Sequence, residues 1–398
     1  MYNFDKITDR FGTLSYKWDV KDGELPMWVA DMDFEVAPPI KKAIVDRAEH
    51  GIFGYTSTPD AFFESVSAYW GRRHGYAIPT EHMIYSNGVV AAISSIVRKL
   101  TTPAENVLIQ APVYNIFYNS ILNNGRNVLS SDLIYDGNDY AIDFSDLEEK
   151  LSRPQTSLMI LCNPHNPVGR IWTKDELAKI GELCHKHGVT VLSDEIHCDI
   201  TDPKDGYTPF ASVNEVCRSI SVSAVAPSKT FNIAGLQSAC LFAENPVIRH
   251  RVWRGLNTDE VGEPNAFSMT ANIAAFSECD AWVDEMLDYV FENKRIACDF
   301  INSQIPGLKA NYSRATYLLW IDISGVADDS VDFCEKLRAS TGLYLSDGAE
   351  YGESGRRFVR MNLATQRERV TDGLNRLKKG AELYNKDEKQ GQNNEKTE

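Results

Sequence analysis

From about residue 80 to 245, short apolar runs alternate with amphipathic helical patterns, and this alternation restricts the possible folds more than any other feature of the chain. The stretches 106–112 (NVLIQAP), 157–163 (SLMILCN), 189–195 (VTVLSDE), 219–224 (SISVSA) and 237–243 (QSACLFA) read as buried strands. Between the second and third lies a clear helix. Thr173 and Glu176 have the spacing of a capping box, Leu177, Ile180, Leu183 and Cys184 share one apolar face, and Gly188 supplies the stop. Strand–helix–strand alternation predicts an α/β fold with a mostly parallel sheet covered on both faces.

In such sheets ligands bind beyond the carboxyl ends of the strands. Polar residues recur at those ends: Asn163 and Asn166 after one strand, Asp194 and His197 after the next, Lys229 after SISVSA. After residue 285 a long helical pattern leads into TYLLWIDIS, a second helix, GLYLSDGAEYG and RRFVRMNLA, which reads as a smaller α+β domain. The expected organisation is an N-terminal segment (1–45) packing with the small domain, a large ligand-binding domain (46–285), a small C-terminal domain (286–385) and a disordered polar tail (386–398).

Composition narrows the partners. The net charge is −15, from 56 acidic and 41 basic residues, and no basic block offsets it. Nucleic acid and anionic membrane surfaces are therefore not expected partners. Any bound phosphate must be gripped locally, by backbone amides and a few placed side chains. The start, MYNFDKITDRFG, lacks the pattern of a signal peptide, and no apolar run is long enough to span a bilayer. The eight cysteines are scattered without C-x-x-C spacing and read as reduced thiols of a cytoplasmic protein. His185 and His187 are two apart on a helix, on different faces, so no metal site is expected.

Lys229 stands out. It lies in VAPSKTFNIAGL (225–236), where the nearest charged residues are Arg218 and Glu244. A lysine in a charge-poor pocket loses solvation of its ammonium form, which frees the amine as a nucleophile. The matching chemistry is a Schiff base with a carbonyl, most commonly that of pyridoxal phosphate. Such a site needs an acid opposite the pyridine nitrogen, polar contacts to the ring hydroxyl, a flat stacking group and amides for the phosphate. Asp194, His197, Tyr114 and Gly88, the last opening a helix at SNGVVAAISSIVRKL (86–100), are candidates in that order. Each alone has a bland reading: helix cap, packed histidine, core tyrosine, ordinary glycine.

Together, NPHNPVG (163–169), DEIH (194–197) and SKTFN (228–232) resemble the fold-type I pyridoxal phosphate enzymes of the class I/II aminotransferase superfamily. PMWVADMDF (26–34), GYTSTPDAFFESVSAYW (54–70) and APSKTFNIAGL are most similar to its MalY/PatB-type branch of cystathionine β-lyases, over roughly residues 1–382. The resemblance implies a large domain with a mostly parallel, seven-stranded-type sheet sandwiched by helices, plus a smaller α+β domain. It implies that Lys229 bonds to pyridoxal 5′-phosphate and serves as acid/base, and that Asp194 pairs with the ring nitrogen. Asn166 and His197 would contact the ring hydroxyl, and Tyr114 would stack on the ring. Gly88, Val89 and Ser228 would contact the phosphate. Tyr55 would reach the phosphate of a neighbouring subunit, implying a homodimer with shared sites. Arg360 would clamp the substrate carboxylate, with Tyr114 and Asn166 beside it. Trp28 and Asp31 belong to the branch signature without an assigned step. One departure is visible: Ala226 stands where many members carry a serine or threonine, which removes a phosphate contact. The implied reaction is β-elimination of sulfur amino acids to pyruvate, ammonia and a thiol such as homocysteine. Transamination is the alternative, and a second role binding a transcription regulator is a further one.

Overall fold

The computed structural model describes residues 2–395, with side chains as far as Lys386. Seven strands build the central sheet: β1 (Met83–Ser86), β2 (Asn106–Ile109), β3 (Asn127–Ser130), β4 (Thr156–Cys162), β5 (Thr190–Asp194), β6 (Ser221–Val225) and β7 (Ala239–Phe242). Their spatial order is β1-β7-β6-β5-β4-β2-β3. Neighbours from β3 through β2, β4 and β5 to β6 pair in parallel, and β7 runs antiparallel to both of its neighbours.

Both faces of this sheet are buried, and the strand period of two assigns the side chains. Along β4, Leu158, Ile160 and Cys162 pack towards helix α1 (Val89–Leu100), while Met159 and Leu161 face helix α2 (Lys174–Lys186). The capping box of α2 forms as expected, its four named apolar residues are buried, and Gly188 follows its end with φ 68°.

The five expected strands are present with shifted ends. The stretch expected to begin at 219 starts instead at Ser221, because Asn214 caps a short helix, Glu215–Ser219, through the Cys217 amide. Strands β1 and β3 escaped the sequence pattern. Each has four residues, and β3 is an edge strand with partly exposed side chains.

A four-residue helix, α3 (Pro227–Thr230), follows β6, and helix α4 (Asp280–Gln304) leads to the second sheet. That sheet is antiparallel, ordered β8-β9-β11-β10 from β8 (Lys309–Ala310), β9 (Leu318–Asp322), β10 (Ser346–Asp347) and β11 (Phe358–Asn362). Helix α4 crosses residue 285 without a break. Its first half packs with Phe4, Phe34 and Tyr69, and its second half with Trp18, Leu25 and the second sheet. Leu25–Pro26 also pairs in parallel with Leu343–Tyr344, which ties the N-terminal segment to that side. Helices α5 (Ser330–Thr341) and α6 (Arg367–Glu395) cover the second sheet. Helix α6 carries the chain to Glu395, into the segment expected as a disordered tail, while residues 396–398 and Met1 lie outside the described residues.

Candidate active site

Three adjacent parallel strands end together. Cys162 of β4, Asp194 of β5 and Ala224 of β6 are aligned in register, so the segments that follow them open onto one cleft. Asn166, Asp194, His197 and Lys229 all come from those segments. Beside Lys229, Thr230 Oγ1 donates to Asp199 Oδ2 at 2.7 Å, and Asp199 Oδ1 lies 2.8 Å from His74 Nε2, which pins α3 to the body of the domain. His74, Cys198 and Asp199 form a group of metal-capable atoms within 4.8 Å of one another, but those two contacts already occupy both carboxylate oxygens.

Lys229 Nζ donates to the backbone carbonyl of Ala30 at 2.6 Å. Burial, and then the nearby Arg360 guanidinium, lower its pKa to about 8, against the opposing pull of Asp31 and Asp194. Asp194 moves the other way. Burial raises its pKa to about 7, with a bond from the Ile196 amide opposing and Glu195 assisting. Each group is displaced towards neutrality, as titratable groups at functional sites commonly are.

This displacement has a stability consequence. Asp194 has a folded pKa raised from its ordinary 3.8, so its contribution is intact below that value and is lost as pH rises through about 7. We expect cofactor-free Asp194→Asn to be more stable than wild type at pH 8, by roughly 2–4 kcal/mol, with the gap closing below about pH 4. Thermal unfolding at the two pH values measures it; an unstabilised variant at pH 8 would refute the burial argument.

Arg360, on β11, is buried, and strand alternation turns it away from Val359 and Met361, which lie in the core of the second sheet. Its Nη2 donates to the Trp28 carbonyl at 2.9 Å and its Nη1 to Asn166 Oδ1 at 3.3 Å, and its Cζ sits 4.9 Å from the Tyr351 ring centroid. Tyr114 is tied to the same group through its amide, which donates to the Asn166 carbonyl at 3.1 Å, and burial pushes its phenol up to about 12. His197 is buried with its pKa well below the usual imidazole range, through burial and then Lys229 and Arg360. Gly88 caps α1 with φ 152°, a conformation that favours glycine, and no side chain caps that helix end. Val89 begins the helix, and Ser228 is partly buried in α3 beside Lys229. Tyr55 stands apart: it is fully exposed.

Sequence reasoning missed the strap formed by residues 28–34. Asn362 Nδ2 donates to the carbonyls of Val29 and Asp31, both at 2.6 Å. Asn232 Oδ1 accepts the Met32 amide at 3.0 Å, and its Nδ2 donates to the carbonyls of Met32 and Phe34. One asparagine comes from the second sheet and the other from the loop after Lys229, so the strap joins the two halves across the cleft. Tyr317 adds a bond from its hydroxyl to the Ala30 carbonyl at 2.9 Å. Asn232 ends the SKTFN motif, yet its partners are about two hundred residues away and no local pattern announces them.

Lys294, in helix α4, is a rival amine that the sequence also concealed. Burial lowers its pKa to about 7, but its Nζ donates to the Ser313, Ala315 and Thr316 carbonyls and to Ser313 Oγ. Those bonds saturate it and shape the 313–316 loop. Among the described residues Lys229 has one acceptor, the Ala30 carbonyl, and it stands with the cleft residues.

Pyridoxal phosphate fits what the cleft leaves unsatisfied. His197 Nδ1 and Arg360 Nε are buried without a hydrogen-bond partner, and the amides at the start of α1 are uncapped. A Cβ built on Gly88 would meet nothing within 4 Å, so there is open space before that helix end. A phosphate at the α1 terminus, a ring hydroxyl beside His197 and a substrate carboxylate at Arg360 would meet these three.

The aminotransferase class I and II model matches residues 26–377. The chain belongs to that family. It is 42% identical over 383 residues to cystathionine beta-lyase PatB of Bacillus subtilis, covering 94% of this chain and 99% of that protein. Among solved structures, cystalysin from Treponema denticola, which contains pyridoxal 5′-phosphate, superposes with a TM-score of 0.92 at 32% identity, covering 96% and 99% of the two chains. The pyridoxal phosphate-bound C-S lyase of Staphylococcus hominis gives 0.90 at 30% identity, covering 96% and 99%. The family fold is thus the one built above, with the α/β sheet sandwiched between helices beside a smaller α+β unit. Among the described residues, no helix is long and apolar enough to cross a membrane.

Proposed function

We propose that this family member is a pyridoxal 5′-phosphate-dependent lyase that cleaves the Cβ–sulfur bond of cystathionine and related cysteine conjugates, giving a thiol, pyruvate and ammonia. The observation that carries the reading is the convergence of Lys229, Asp194 and Arg360 on one cleft, with the first two displaced towards their neutral forms. The likeness to named lyases over nearly the whole chain supports elimination over transamination.

When bound, the cofactor supplies an electron sink that stabilises negative charge at the substrate Cα. Its phosphate would be held by the amides of Gly88 and Val89 with Ser228, its ring by Tyr114, and its ring hydroxyl by Asn166 and His197. Asp194 would keep a proton on the ring nitrogen, since a cation opposite opposes the burial that raises its pKa. Arg360 offers its guanidinium to the substrate carboxylate, already aimed by Trp28 O and Asn166 Oδ1. Lys229 Nζ, with a pKa near the working pH, takes the Cα proton and returns a proton to the departing sulfur. As the Cβ–S bond breaks its electron pair leaves with sulfur, and the three-carbon enamine hydrolyses to pyruvate and ammonia.

Pyruvate and thiol formed from cystathionine or an S-alkylcysteine without any keto acid would be the expected result. Strict dependence on a keto acid would identify an aminotransferase instead.

The working form is a homodimer in the cytoplasm. Tyr55 is fully exposed on a segment with exposed Ile52 and Phe53, so in a single chain its hydroxyl serves no site. All eight cysteines are unpaired thiols, in keeping with a reducing compartment. Mixing Lys229→Ala with Tyr55→Ala subunits tests the sharing. Each variant is expected to be nearly inactive alone. Statistical pairing would make half the dimers mixed, with one intact site each, so activity should recover to about a quarter of wild type. No recovery after verified subunit exchange would place Tyr55 outside the partner's site.

A further inference from the structure

Glu350 bears on what the substrate sulfur carries, an inference that rests on the lyase reading. It lies in the turn Ala349–Tyr351 between β10 and β11, with its amide donating to Asp347 Oδ1 at 3.2 Å. Its Oε2 accepts from Asn115 Nδ2 at 3.0 Å. Both neighbours in sequence belong to the cleft. Asn115 follows Tyr114, and Tyr351 lies against the Arg360 guanidinium. The backbone closes the link, since the Tyr351 carbonyl accepts the Val113 amide at 2.9 Å and the Tyr118 hydroxyl at 3.1 Å.

The carboxylate is therefore held at the rim between Tyr114 and Arg360. Its charge is felt by three surrounding phenols, those of Tyr114, Tyr344 and Tyr351, each pushed up by burial first and by Glu350 in addition. Tyr344 stacks on Trp28 at 4.7 Å, and the Trp28 carbonyl is the one that holds Arg360. Glu350 thus stands beside Tyr114, Tyr344 and Tyr351, the last of which packs on the Arg360 guanidinium. Among the described residues no lysine, arginine or histidine forms an ion pair with it. Glu350 is exposed, but its bond from Asn115 holds it at the mouth of the site, and it lacks a cation there.

We propose that Glu350 is a specificity-determining residue that receives an ammonium group carried beyond the substrate sulfur. Cysteine conjugates whose leaving thiol bears an amine are then preferred over neutral or acidic conjugates of equal size. Arg360 fixes one end of the substrate and Glu350 the other, so the Cβ–S bond is held between two charged anchors of opposite sign.

The test compares S-(2-aminoethyl)-L-cysteine with S-propyl-L-cysteine, which differ by an ammonium in place of a methyl. With the holoenzyme, kcat/KM should favour the amine by about fivefold at low salt, the range of a partly exposed ion pair. In Glu350→Gln the ratio should fall to about one, and in Glu350→Lys it should invert. The non-cleavable pair L-lysine and L-2-aminoheptanoate, titrated calorimetrically into the holoenzyme, should show the same preference and the same loss. A wild-type ratio near one, or a ratio unchanged in Glu350→Gln, overturns the assignment. Should neither conjugate be cleaved while the calorimetric preference still depends on Glu350, the lyase reading fails and the ammonium site stands.

Discussion

Lys229→Ala is expected to lose at least ~10³-fold in pyruvate release from cystathionine, because in the proposed reaction one amine both anchors the cofactor and moves the proton, and general acid–base catalysis alone contributes about 10²–10⁴-fold. The loss should be chemical rather than structural. Lys229 donates to a single backbone carbonyl, and the Tyr317 hydroxyl still bonds that same oxygen after truncation. Moreover, burial disfavours the ammonium, so removing it relieves a destabilised charge. The variant should therefore fold and melt at least as well as the cofactor-free wild type, while failing to develop the wild type's yellow colour. A Lys229→Ala protein that retained turnover above a few per cent would require another amine to do this work.

Arg360→Lys should be the second most damaging change. Lysine keeps the charge but not the planar fork, which here divides its donors between Trp28 O, Asn166 Oδ1 and the incoming carboxylate. Truncating one member of a buried charge pair costs about 2–5 kcal/mol, so kcat/KM should fall by roughly 10²–10³-fold. Cofactor absorbance should be unchanged, because the proposed role of Arg360 is to hold the substrate and lysine keeps its charge. Steady-state kinetics over a wide substrate range will show whether the loss lies in KM, as a clamp acting on bound substrate and transition state alike predicts. A fall of less than about threefold would remove Arg360 from substrate binding.

Much of this site could be read from the chain alone because its residues stand at chemically marked places. Lys229 is conspicuous for the absence of neighbouring charge, and Asp194 and Asn166 for following buried strands. The role of Arg360 came from the resemblance; alternation in FVRMN set it only on the face opposite Val359 and Met361, and the structure places those two in the apolar core and Arg360 away from it. What could not be read depends on contacts between distant segments. Ala30 and Trp28 act through backbone carbonyls, which have no sequence signature. The clamps Asn232 and Asn362 look like any polar residue in a loop or strand end until the strap is laid across them. Strands β1 and β3 were hidden for a different reason: β1 runs directly into SNG and the helix after it, and β3 at the edge is not apolar enough to stand out. Lys294 shows the opposite hazard. It sits in a helical pattern that reads as ordinary, yet it is fully buried and saturated by oxygen acceptors.

That second buried amine makes the decisive measurement discriminating. The purified holoenzyme is reduced with borohydride, digested, and each lysine-containing peptide is weighed by mass spectrometry. The cofactor's mass should appear on the peptide carrying Lys229 and on no other. A label on Lys294, or a protein that takes up no cofactor before reduction, would contradict the account at its root.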